Sequence, residues 1–154
     1  MTYLILKCLH IISSTILFGT GIGSAFYLLM ANRSRDLASI RFATRYVVIA
    51  DYIFTAPAVI VQPITGYALA NLAGFELSAP WLAWAIVLYL LAGACWLPVV
   101  YLQIQMRDMA EQAYLSGQSL PPDYWVKSRW WQILGWIAFP AVIAIFYLMV
   151  FKPF

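Results

Sequence analysis

The stretch YLILKCLHIISSTILFGTGIGSAFYLLM, Tyr3 to Met30, decides the fold. A helix needs about 20 mainly apolar residues to cross the hydrocarbon core of a bilayer, and this run exceeds that. The apolar part of a secretory leader spans about 7–15 residues and ends at a small-residue cleavage site. Here the run passes Gly23, Ser24 and Ala25 and continues into Phe26, Tyr27, Leu28, Leu29 and Met30. It reads as an uncleaved first transmembrane helix. It carries the only histidine in the chain, His10. Lys7, three residues earlier, shares its helix face. The same face continues through Ser14, Leu17, Gly21 and Ser24. Lipid does not reward a polar and small stripe, so the stripe is expected to face the interior of a bundle or a cavity.

Three more stretches are long and apolar enough to span a bilayer: Tyr46–Leu72, Pro80–Met106 and Trp130–Phe151. The composition agrees. Of 154 residues, 64% are hydrophobic and 10% charged, against roughly 45–50% and 25% in soluble domains. The expected fold is an all-α membrane protein, a four-transmembrane-helix antiparallel bundle in a single domain, residues 1–154. Loop charge sets its orientation. Arg33, Arg35, Arg41 and Arg45 fall in the first loop, and Arg107, Lys127 and Arg129 in the third, whereas the second holds only Glu76. The basic side is the cytoplasmic one. Both termini are therefore expected on the outer, periplasmic side of a bacterial inner membrane. The net charge of +3 reports orientation and gives no reason to expect nucleic acid.

The first loop, Asn32–Arg45, reads either as a short amphipathic helix capped by Asp36 or Ser34, with Leu37 and Ile40 on the membrane surface, or as a plain basic connector. The third helix is expected to run on through Glu111 and stop near Gly117. Pro121-Pro122 then makes a turn and Asp123 starts the last helix. Trp125, Trp130 and Trp131 fit an inner aromatic belt, and Trp81 and Trp84 an outer one. Cys8 and Cys95 are expected as small packed side chains.

The second span has a polar stripe of its own, Asp51, Thr55, Ala58, Gln62 and Thr65, together with Pro57, Pro63 and Gly66. Each proline frees the carbonyl four residues back, those of Ile53 and Val59. At membrane depth these carbonyls must find partners in protein or water. Antiparallel packing puts Gln62 and Thr65 level with His10. Asp51 is the one acid inside a span. Its expected use is an ion pair with Arg45, Arg107 or Arg129, and its rival use is proton or ion handling. His10 has three readings: a packed side chain bonded to Ser14 or Gln62, a proton carrier, or an axial haem ligand. A second axial ligand would be Met149, a partner subunit, or none. Gly19 and Gly23 form a small-xxx-small pair suited to close helix contact. Tyr89 and Trp96 suit either plain packing or the flanks of a flat cofactor. No Ser/His/Asp set, phosphate loop, metal cluster or carboxylate pair occurs, which excludes classical hydrolase and nucleotide chemistry.

Taken together, LKCLHIISSTILFGTGIGSAF (Leu6–Phe26), ADYIFTAPAVIVQPITG (Ala50–Gly66), LYLLAGACWLPVVYLQIQMRDMA (Leu88–Ala110), LGWIAFP (Leu134–Pro140) and FYLMVFKP (Phe146–Pro153) resemble an uncharacterised family of bacterial four-helix inner-membrane proteins, a domain of unknown function. The Lys-x-x-His start and the Pro-then-Gly second helix are more distantly similar to the haem-binding membrane protoporphyrinogen oxidases and to the copper-resistance D family. In the oxidases the first-helix histidine is implicated in haem binding. Carried over, that role falls on His10, with Lys7 beside it. The chain departs from them after Phe26, where Tyr27-Leu28-Leu29-Met30-Ala31-Asn32-Arg33 replaces a Pro-Arg and a Tyr-His element. This departure weighs against the oxidase reaction and leaves haem binding as what the resemblance implies.

Three functions follow as expectations. The first is an accessory or structural subunit of a larger membrane complex, respiratory or redox in kind, packed against other membrane subunits or a second copy. The second is a haem-b redox protein with His10 as metal ligand and Lys7 pairing a propionate. The third is a small transporter or channel using the Asp51–Gln62 stripe.

Overall fold

The computed structural model describes residues 1–153. It is all-helical: α1 Thr2–Ser34, α2 Leu37–Leu72, α3 Pro80–Ser116 and α4 Pro122–Phe151, each long and apolar enough to cross a membrane. Among the described residues there is no strand.

The helices outrun the apolar segments that announce them, and their ends show why. Arg35 takes the left-handed conformation after α1, φ 59°. Asp36 then caps α2, accepting from the Ser39 backbone N–H at 2.8 Å, the usual service of an N-cap carboxylate. The turn is thus very tight, and α2 starts well before Tyr46. It runs on for roughly 54 Å at 1.5 Å per residue. A helix capped by Asp36 does form over the first loop, but it is the start of α2 and packs into the bundle, not onto the membrane surface. Ile40 is 0% exposed, because Ile40, Ala43, Thr44 and Val47 recur at helical spacing and face the bundle. Gly117, φ 65°, closes α3 as its sequence position implies. Asp123 lies inside the first turn of α4, after Pro121 and Pro122, and pairs with Lys127 at 3.2 Å.

Packing concentrates at the two ends. At the basic end, Leu28, Ala31, Ile40, Val47, Met106, Ala110, Tyr124 and Trp131 form one core. A buried polar brace joins α1 to α4 there. The Tyr124 hydroxyl donates to Asn32 Oδ1 at 2.6 Å, and Asn32 Nδ2 donates to Ser128 Oγ at 3.0 Å. Arg41 forks onto Glu111 at 2.6 and 2.8 Å. Arg35 lies over the Trp125 ring, 3.9 Å from its centroid. At the opposite end, Ala70, Trp81, Leu82, Ala85 and Leu148 make a smaller core. Trp81 and Trp131 are therefore core residues and not belt residues, while Trp84 and Trp130 are exposed. Cys95 is buried as expected; Cys8 is exposed.

Between these cores the helices separate. α3 packs along α4, α1 along α2, and the basic half of α2 along α3. The other half of α2 stands off from α3 and meets it through side chains, and α1 likewise meets α4 mainly through side chains. The parting of α2 has a local cause. Residues Asp51–Thr55 form a π-turn, closed by the Ala56 N–H on the Asp51 carbonyl, just ahead of Pro57. Such single π-turns often mark functional positions.

Candidate functional site

The gap between the two cores is a cavity of about 530 Å³ lined by all four helices. Small residues open it: Gly21, Ser24 and Ala25 on α1, Ala92 and Gly93 on α3, Gly135 and Ala138 on α4. Large ones wall it, among them Trp96, Trp131 and Phe139. Its volume falls in the range of about 300–1,000 Å³ usual for small-molecule sites. Phe18 bridges the seam between α1 and α4, meeting the edges of Phe139 and Phe146 with centroids 6.1 and 5.6 Å away. Ile22 and Phe26 on one side of this seam and Trp136 and Ile143 on the other line the cavity, yet each is also exposed on the outer surface. The cavity thus reaches the membrane-facing surface at this seam.

Most of the lining is apolar, and the polar groups in it are unevenly satisfied. Tyr89 donates to the Val59 carbonyl at 2.6 Å, the carbonyl that Pro63 leaves without its helical partner. Asp51 Oδ1 accepts from Thr55 Oγ1 at 2.8 Å. Four lining groups have an atom without any partner: Asp51 Oδ2, Gln62 Oε1, Gln103 Oε1 and Trp96 Nε1. Asp51 and Gln103 are each only 5% exposed. Buried polar atoms are nearly always paired, so four orphans around one space mark it out. The ion pair expected for Asp51 does not form. Arg107 binds Asp108 at 2.7 Å, and among the described residues no Lys or Arg nitrogen comes within 4 Å of Asp51.

His10 lies apart from the cavity, between α1 and α2. Its Nδ1 is 2.8 Å from Thr65 Oγ1 and its Nε2 3.2 Å from Gln62 Nε2. The Thr65 hydroxyl donates to the Val61 carbonyl at 2.8 Å. With its proton on that carbonyl it accepts from Nδ1–H, the tautomer in which Nε2 accepts from the Gln62 amide. Gly66 lets the ring seat closely: a Cβ there would stand 3.2 Å from His10 Cε1. Gln62 and Thr65 do sit level with His10, as antiparallel packing requires. Ser14 bonds instead to the Ile11 carbonyl.

This geometry bears on haem b. Iron needs a free imidazole lone pair, and both nitrogens of His10 are engaged. Lys7 is exposed, 6.0 Å from the centroid of the Tyr3 ring. Met149 packs against the smaller core. None of the three lines the cavity. As arranged, these residues do not fit a haem ligated by His10. Nor do three His, Cys, Asp or Glu side chains gather into a metal site among the described residues. The arrangement suits non-covalent binding of an apolar molecule that carries hydrogen-bonding groups.

A family model described as predicted integral membrane protein (DUF2269) matches residues 4–153. The chain belongs to that family. The DUF2269 description agrees with four membrane-spanning helices and assigns no activity. No curated protein and no solved structure matches the chain.

Sequence reasoning found Asp51, Gln62, Tyr89 and Trp96 singly. It missed Gln103 and the Asn32–Tyr124–Ser128 brace. The signal for Gln103 was available, a lone amide inside an apolar span.

Proposed function

We propose that this chain is a binding protein of the bacterial cytoplasmic membrane that holds a lipophilic small molecule between its four helices. One observation carries the reading. A cavity of ligand size, apolar in most of its wall, is ringed by buried polar atoms with nothing to bond to. Buried polar atoms left without a partner cost about 1–3 kcal/mol each, and a ligand whose groups reach them lowers that cost. The seam at Phe18, Phe139 and Phe146 supports entry from the bilayer itself.

Gly93 supplies the test. It lines the cavity, and a Cβ placed on it meets nothing within 4 Å. A Gly93→Phe side chain therefore starts into open space at the cavity wall, and its ring is expected to occupy ligand space. Small molecules extracted from the purified protein are compared by mass spectrometry with those of the membranes it came from. The expected result is a species enriched with the parent protein and lost with Gly93→Phe. Identical profiles for both proteins refute the reading.

A second reading, an accessory subunit beside other membrane subunits or a second copy, is favoured by one face of α1. Thr15 and Gly19 are exposed, and a Cβ placed on Gly19 or Gly23 would meet nothing within 4 Å. Small-residue faces of this kind allow close helix approach in lipid. Gly19→Leu with Gly23→Leu then strips away a partner that co-purifies in mild detergent. A lone monomer before and after the change counts against it.

A further inference from the structure

The cavity has one acid and no base. Of the residues that line it, only Asp51 and Tyr89 are ionisable, and the Tyr89 hydroxyl is committed to Val59. Asp51 is 5% exposed, keeps Oδ2 unpartnered, and has no cation of this chain within ion-pair distance among the described residues. Arg45, the basic residue nearest to it in sequence, makes no ion pair with it, and three others are engaged elsewhere. Arg41 holds Glu111, Arg107 holds Asp108, and Lys127 holds Asp123. Gln103 of α3 lines the same cavity, its amide N–H turned as a donor to the Asp51 carboxylate and its own Oε1 open. The unfilled positions at this end of the cavity are thus two acceptors, both more than nine-tenths buried.

A buried carboxylate without a counter-ion is costly, and a cation with N–H donors relieves it best. An ammonium group brings positive charge and several donors in one small head. A neutral alcohol brings one donor and no charge. A quaternary ammonium brings charge and no donor. A second carboxylate would add repulsion. Apolar walls toward the α1–α4 seam accommodate the remainder of an amphiphile.

We propose that the ligand of this cavity is a lipophilic primary or secondary amine, its protonated nitrogen held between Asp51 and Gln103. The proposal rests on the binding function argued above and names the ligand class of that same site. The π-turn is part of the device. It places Asp51 and Thr55, four residues apart, where the Thr55 hydroxyl fixes one carboxylate oxygen and leaves the other for the ligand.

The experiment is a titration of the full chain in lipid nanodiscs, with empty nanodiscs subtracted, against four probes that share a tail: dodecylamine, dodecanol, dodecyltrimethylammonium and dodecanoate. Dodecylamine is expected to bind tightest. Asp51→Asn is expected to weaken it by roughly ten- to a hundredfold, the range for a charge-assisted hydrogen bond, and to leave dodecanol little changed. Gln103→Met removes the second acceptor at similar bulk and is expected to weaken dodecylamine in the same direction. This variant decides the matter if Asp51→Asn does not fold. Equal binding of dodecylamine and dodecanol, unmoved by either substitution, overturns the amine assignment and leaves the binding function standing. Absence of binding above empty nanodiscs for all four probes overturns both.

Discussion

Tyr89→Phe isolates the repair that keeps a proline-bearing helix intact beside the cavity. Pro63 lacks the N–H that would bond the Val59 carbonyl, and the Tyr89 hydroxyl from α3 supplies the missing donor at 2.6 Å. The substitution deletes that one oxygen and leaves the ring in place. An orphaned buried acceptor costs about 1–3 kcal/mol in proteins generally. Hydrogen bonds between membrane helices average about 0.6 and reach about 1.7 kcal/mol. With the hydroxyl half-buried, a loss of about 1 kcal/mol is expected. The same structure fixes a second number. Pro63→Ala restores the backbone donor, so in that background Tyr89→Phe should cost almost nothing. The coupling of about 1 kcal/mol exceeds the roughly 0.3–0.5 kcal/mol scatter of independent sites. Reversible unfolding in mixed micelles, followed by far-ultraviolet circular dichroism, measures all four corners of the cycle. Tyr101→Phe on the exposed face of α3 is the control and should be silent. Equal costs of Tyr89→Phe with and without Pro63 would refute the reasoning.

Two further outcomes follow from the basic end. Tyr124→Phe strands the buried Asn32 Oδ1 and should destabilise the fold by about 1–3 kcal/mol; denaturation in mixed micelles reads the loss, and Tyr124→Phe combined with Asn32→Leu should recover much of it. The Asp36 carboxyl is held below its ordinary pKa of 3.8 by the Ser39 hydroxyl and N–H. Its support for the first turn of α2 is complete above 3.8 and disappears as the pH falls below that value through the lowered one. Protection of the Leu37–Arg41 amides, measured relative to their intrinsic exchange rates, should therefore fall on acidification, and Asp36→Asn should flatten the dependence.

The spans were legible because about twenty apolar residues in a row have few other uses. The level of Gln62 and Thr65 against His10 was legible too, since antiparallel helices fix depth by counting residues. So was the need of the Val59 carbonyl for a partner, though not that Tyr89 would meet it. Other features depend on side-chain direction across helices, which one helix's periodicity does not carry. Lys7 shares a face with His10 by spacing, yet it lies one turn closer to the helix end and is exposed there. The amphipathic pattern around Ile40 is the same whether its apolar face meets lipid or protein; the tight Arg35–Asp36 turn settles it for protein. The cavity is the least legible feature. It is made by what Gly93, Gly135 and Ala138 lack, on separate helices, and absence leaves no periodic mark. The lone acid Asp51 was visible, but its missing ion pair was not: Arg107, one of its three expected partners, binds the adjacent Asp108 instead.

The central claim, that the middle of the bundle is a ligand space and not packed side chains, is tested most directly by an experimental density map of the protein in lipid nanodiscs. The account predicts continuous non-protein density among the four helices, ending in contact with Asp51 and Gln103. Helices drawn together, with Trp96 and Phe139 filling the space and both Asp51 Oδ2 and Gln103 Oε1 bonded within the chain, would contradict it.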